Sequence, residues 1–166
     1  SSIWLEGSGV LAVVAYQGSE APGTSLGVNF LDFSSLVLND AGQVAFAATL
    51  LGSGVNAGND QGIWATDRNG ILQLIAREGD EMEVLPGDFR TVHSLDFAGG
   101  TGNSDGRPSG FNNRGQLAFR ARFTDGSQGI FVSSIAAIPE PSSLILVALG
   151  LTGVCVRRRH SPEHSQ

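Results

Sequence analysis

A histidine close to a carboxylate is the first pattern that could support acid–base chemistry, and the body of this chain offers it in Thr91-Val92-His93-Ser94-Leu95-Asp96-Phe97. Three positions apart on a strand, His93 and Asp96 point to opposite faces, so the spacing disfavours a catalytic couple. His160 and His164 lie at the far C-terminal end. The carboxylates of Glu78-Gly79-Asp80-Glu81-Met82-Glu83 gather around a glycine and could offer oxygen ligands to calcium, but their spacing is neither that of an EF-hand nor that of a nonapeptide repeat. A solvated hairpin tip is the plainer reading. No serine stands in Gly-x-Ser-x-Gly, and Gly99-Gly100-Thr101-Gly102-Asn103 lacks the strand-to-helix setting and the lysine of a phosphate loop. The single cysteine, Cys155, sits in an apolar tail, which leaves the body without a thiolate nucleophile or an internal disulfide. The expectation is a non-enzyme with no cofactor and no metal.

The chemistry that the sequence does announce is done to the chain. Ile138-Pro139-Glu140-Pro141 holds a glutamate extended between two prolines that forbid a helix, a segment a protease can read. Residues 142–156 follow without a charge, and then Arg157, Arg158 and Arg159. A helix of that length spans roughly 22 Å at about 1.5 Å per residue, short of a hydrocarbon core of ~30 Å, so the arginines must snorkel and residues 135–138 must contribute. Arginines flanking an apolar span stay cytoplasmic, which places the C-terminus inside and the body across the inner membrane. A thin, temporary anchor is expected rather than a permanent one.

Pro-Glu-Pro, an apolar span and an arginine cluster, in this order at the end of a chain, resemble the PEP-CTERM sorting signal over about residues 138–159. The resemblance implies recognition and cleavage near Pro139, Glu140 and Pro141 by exosortase, an integral-membrane cysteine peptidase. Release or transfer to the cell surface then follows, with a link to exopolysaccharide and biofilm. His160 to Gln166 extend the tail beyond the usual end of that signal.

The body repeats. Asn39-Asp40-Ala41-Gly42-Gln43-Val44-Ala45-Phe46 returns as Asn112-Asn113-Arg114-Gly115-Gln116-Leu117-Ala118-Phe119, and Gln61-Gly62-Ile63-Trp64 returns as Gln128-Gly129-Ile130-Phe131, with Ile3-Trp4 closing an earlier copy. Leu11 to Ala15 matches Leu72 to Ala76, each followed by Gly18 or Gly79 and by Pro22-Gly23 or Pro86-Gly87. Leu31-Asp32-Phe33 matches Leu95-Asp96-Phe97. Residues 51–60 lengthen one hairpin and Ala98 to Arg107 a later connection. Each unit reads as four short strands beginning at the Asn-x-x-Gly turn, with Val44, Phe46, Ala48 and Leu50 inward in one copy. Leu117, Phe119, Ala121 and Phe123 take that place in the next, and Arg120 and Arg122 fall on the wet face. Four strands per unit with an aromatic at a fixed place (Trp4, Trp64, Phe131) predict blade-like repeats, part of a β-propeller whose other blades precede Ser1. The repeats also resemble a bacterial tandem-repeat family with the pattern Asn-x-x-Gly-x-x-Ala-x-x-Ala, found in exported proteins with one of several alternative anchors. That resemblance implies fold and location and no activity.

Glycine is abundant at 23 of 166 residues, only 16% of residues are charged, and lysine is absent, a composition of tight turns rather than wet helices. Seven arginines oppose fourteen acidic residues before the tail, a net charge of −7 that repels phosphate backbones and disfavours nucleic acid as a partner. The chain therefore reads as all-β. Residues 1–134 form an exported, N-terminally truncated repeat region, 135–141 a linker with the sorting motif, 142–156 a transmembrane helix and 157–166 a basic cytoplasmic tail. Its expected partners are exosortase, the inner membrane and exopolysaccharide, and its expected role is a surface scaffold or binding protein. A secreted hydrolase or lyase with its active site in preceding blades is the alternative.

Overall fold

In the computed structural model, which describes residues 1–7, 9–99 and 109–134, the alternating apolar segments become ten strands. They are β1 (Ser2–Gly7), β2 (Val10–Tyr16), β3 (Val28–Leu38), β4 (Val44–Gly52), β5 (Gln61–Thr66), β6 (Leu72–Arg77), β7 (Glu81–Leu85), β8 (Asp88–Asp96), β9 (Gln116–Phe123) and β10 (Gln128–Ser134). They pair antiparallel into a hairpin, β1-β2, and two meanders ordered β3-β4-β5-β6 and β10-β9-β8-β7, with a half-barrel curl. The expected all-β class with four-stranded antiparallel sheets is present. A closed propeller is not among the described residues. No helix of the described residues is long and apolar enough to cross a membrane, and the expected span at 142–156 lies outside them, as do the linker 135–141 and the basic tail 157–166.

Two cores separate the three sheets. Val44, Phe46, Ala48 and Leu50 point from β4 into one core, together with Val28, Phe30 and Trp64 from its own sheet and Ile3 and Ala15 from the hairpin. From the opposite face of the same sheet, Val37, Ala45, Ile63, Ala65 and Ala76 enter the second core, where Leu117, Phe119, Ala121 and Phe123 of β9 meet them. The central meander is thus buried on both sides, which explains why β4 carries alanine where a half-wet strand carries charge. In β9 the alternation instead leaves Arg120 half-buried and Arg122 exposed on the outer face.

One turn recurs in these sheets. In Asn39–Gly42 and in Asn112–Gly115 the N–H of the first residue donates to the carbonyl of the residue after the glycine, and the glycine N–H donates to the first residue's carbonyl. The glycines take φ of 75° and 77°, the left-handed position that closes a type I turn with a bulge. Asp67–Gly70 and Phe123–Gly126 make the same backbone pattern, and the asparagine signature had not singled them out.

The register revises two expectations. The Asn-x-x-Gly turn does not open a sheet: it joins the first and second strands of the first meander, β3 and β4. Phe30 and Val92 occupy equivalent places, facing Leu50 and Phe123, and both strands bulge at the following residue, so Phe33 corresponds to Leu95 rather than to Phe97. A two-residue slip keeps the strand phase, so alternation alone does not detect it. Ala98 to Arg107 falls in the connection between β8 and β9, most of it outside the described residues, and Phe111 pairs with Leu117 at the place Leu38 holds opposite Val44. Residues 51–60 do lengthen the β4-β5 hairpin.

Candidate functional site

The repeated turns of the two meanders stack on one another and are joined by side chains. The Asn39 amide Nδ2 donates to the carbonyl of Asn112 at 2.8 Å and to Gln43 Oε1 at 3.0 Å, while its Oδ1 accepts from the Gln43 N–H at 2.9 Å. Beside it, Asn113 Oδ1 accepts from the Asp40 N–H at 2.9 Å and Asn113 Nδ2 donates to Asp40 Oδ2 at 3.0 Å. Residues 73 apart in sequence are therefore direct neighbours in space. Gln43 Nε2 continues inward to the Thr66 carbonyl, and the Thr66 hydroxyl accepts from the Val44 N–H. Asn39, Gln43, Thr66 and Asp67 are four of the buried polar residues, and each is used to tie a turn or a sheet in place.

This ladder sets a prediction. Asn39→Ala leaves the Gln43 N–H and the Asn112 carbonyl without their partner and costs about 1–3 kcal/mol of stability, whereas Asn112→Ala, at an exposed position, costs under about 1 kcal/mol. Urea unfolding of the two variants against the parent chain measures the difference.

The Gln-Gly-Ile-aromatic motif has a packing cause. A Cβ on Gly62 would lie 2.7 Å from the Trp64 ring and one on Gly129 would lie 3.0 Å from the Phe131 ring, because each aromatic folds back over the glycine two positions before it on the same face. In the first copy serine replaces that glycine, and Trp4 Nε1 donates to Ser2 Oγ at 2.9 Å.

His93 sits exposed at the β8 bulge, where the equivalent residue of β3 is Leu31, and Asp96 accepts from Arg120 at 2.8 Å. They are not brought together. In the acidic segment, Glu81 and Glu83 are exposed on β7, and Glu83 Oε1 accepts from the Gly87 N–H at 2.8 Å, closing the hairpin tip. Glu78 is different, because it is buried. Desolvation first, and then the nearby charge of Asp60, push its carboxyl up to about 7 against a backbone hydrogen bond from Gln61. The folded state thus holds a proton that the unfolded chain releases near its ordinary 4.5, so stability falls as pH rises from 4.5 to about 7 and is flat above. Glu78→Gln removes that decline and raises the thermal midpoint at pH 8, and midpoints recorded across this range for both chains test it.

The sorting residues Pro139, Glu140 and Pro141 and the arginines Arg157, Arg158 and Arg159 lie outside the described residues. What bears on them is sequence comparison. A protein family, the family of unknown function DUF7453, matches residues 1–145, which takes in the whole repeat region. The chain belongs to this DUF7453 family. Over residues 137–159 the DUF7453 chain also matches the PEP-CTERM protein-sorting motif, which makes it a PEP-CTERM protein with exosortase as its processing partner and the cell surface or exterior as its destination. Neither the curated proteins nor the solved structures contain a match to it. The Asn-x-x-Gly-x-x-Ala-x-x-Ala likeness is carried by the residues alone, and the family found for the repeat region is DUF7453.

Proposed function

We propose that this chain is an exported, non-enzymatic β scaffold that exosortase cuts near Glu140, and that it then acts on the cell surface or within the exopolysaccharide matrix of a biofilm. The observation that carries this reading is the PEP-CTERM motif at residues 137–159. Before cleavage, residues 142–156 hold the chain in the inner membrane, with Arg157, Arg158 and Arg159 on the cytoplasmic side. Support for a scaffold comes from where the buried polar groups are spent. Asn39, Gln43 and Thr66 link turn to turn and strand to strand, as stacked repeats require.

In cells lacking exosortase the chain is expected to accumulate in the membrane fraction, and in the parent strain to appear at the surface or in the medium. The same distribution in both strains would overturn the sorting half of the proposal. For the scaffold half, deleting the gene is expected to lower the polysaccharide retained around the cells, and unchanged matrix would contradict it.

A further inference from the structure

The strand that carries the third aromatic, β10, is one neighbour short of its equivalents. Its counterpart β5 pairs with β4 on one side and with β6 on the other, where the Gln61 carbonyl accepts from the Glu78 N–H at 2.9 Å, and β1 has β2 in that place. Among the described residues β10 pairs with β9 alone. The Phe123 N–H donates to the Ser127 carbonyl at 2.9 Å, and backbone direction alternates along a strand. Gly129, Phe131 and Ser133 therefore bond to β9, while Gln128, Ile130 and Val132 turn their N–H and C=O groups outward. The sequence offers no hairpin partner for them. After β5 the Asp67–Gly70 turn brings back β6, whereas β10 is followed by Ile135-Ala136-Ala137-Ile138-Pro139-Glu140-Pro141, with no glycine to close such a turn and two prolines that cannot donate to a ladder.

That edge is undefended. Gln128–Ser134 carries no charge and no proline, and Ile130 and Val132 are 71% and 63% exposed. The opposite edge of the same sheet, β7, carries Glu81 and Glu83, which repel a second copy. The composition of β10 instead fits itself. Two copies placed antiparallel about a two-fold axis at Phe131 set Ile130 opposite Val132 and Gln128 opposite Ser134. In that register outward backbone groups meet outward backbone groups, and the two exposed apolar side chains cover each other. Arg120, the β9 neighbour of Ile130, is already paired with Asp96 at 2.8 Å, so no unpaired like charge stands beside the central pairs. We infer that β10 is a self-association edge, pairing with β10 of a second copy to join two four-stranded sheets into one continuous sheet. The contact is isologous and closes at two copies.

The test follows the full-length chain in mild-detergent micelles by sedimentation over a range of concentrations. The parent chain is expected to dimerise. Val132→Pro removes only an outward N–H and leaves the bonds to β9 in place, so it raises the dimer dissociation constant at least roughly tenfold with the thermal midpoint little changed. Ile130→Glu alone and Val132→Lys alone weaken the dimer to a similar degree. An equal mixture of these two restores it, because the register sets the two positions opposite one another, an outcome that damaged folding does not produce. Three results would each overturn the inference. They are a parent chain that stays monomeric throughout, as when residues of its own tail fill the edge; a dimer untouched by Val132→Pro, as when the apolar tails associate instead; and a mixture no stronger than its parts.

Discussion

Replacing Pro139, Glu140 and Pro141 together with alanine leaves the chain uncut and held in the membrane fraction, while the parent chain leaves it. In the proposed sorting step the two prolines keep Glu140 from entering a helix so that a peptidase can seat it, and with alanines the segment is expected to join the uncharged residues 142–156 as one continuous helix. A helix presents no extended bond to a protease cleft, and the added turn brings the span closer to the thickness of the hydrocarbon core. Both consequences retain the chain. The altered residues follow the repeat region in sequence, and its thermal midpoint is expected to be unchanged. Fractionation with an antibody against the body, beside the midpoint, distinguishes failed sorting from failed folding, and a triple variant released as efficiently as the parent would count against the proposed role of the motif.

The largest loss of stability is expected from Trp64→Ala. Trp64 is fully buried, packs edge-on to Phe30 at a centroid distance of 4.9 Å and stacks on Phe46 at 6.3 Å, and its Nε1 donates to the Pro22 carbonyl at 2.9 Å. Truncation opens a cavity between the hairpin and the first meander, strands the Pro22 carbonyl and removes the ring that covers Gly62. The cost is about 3–5 kcal/mol, out of a total of about 5–15 kcal/mol for a domain. A fall of roughly 10–20 °C in the thermal midpoint follows. Trp4→Ala removes an exposed side chain of the same type and lowers the midpoint far less, so the pair of variants separates burial from residue identity.

Much of the fold was legible because its signals are local. Alternation through Val44, Phe46, Ala48 and Leu50 located β4 and its inward face, and Asn-x-x-Gly marked turns whose glycines do take the left-handed backbone. The 73-residue repeat was more informative than its sequence identity suggested, since Asn39 and Asn112 touch. What alternation does not carry is the partner of a face. Ala45 and Ile63 are compatible with a wet face or a buried one, and only stacking against β9 decides it. Bulges escape notice for a related reason: sequence likeness aligns Phe33 with Phe97, whereas the ladder gives Phe33 and Leu95 the equivalent places. The proton held by buried Glu78 was also hidden, because an acidic run reads as solvent-exposed until the burial of each carboxyl is known. For the sorting motif the order was reversed: Pro139, Glu140 and Pro141 with the arginines were plain in sequence, and the matched motif at 137–159 agrees with them.

Intact-mass spectrometry of the chain recovered from the surface or medium of its own cells tests the central claim most directly. The account predicts a species ending close to Glu140, lacking the apolar span and Arg157, Arg158 and Arg159. A recovered protein that still ends at Gln166 would contradict it.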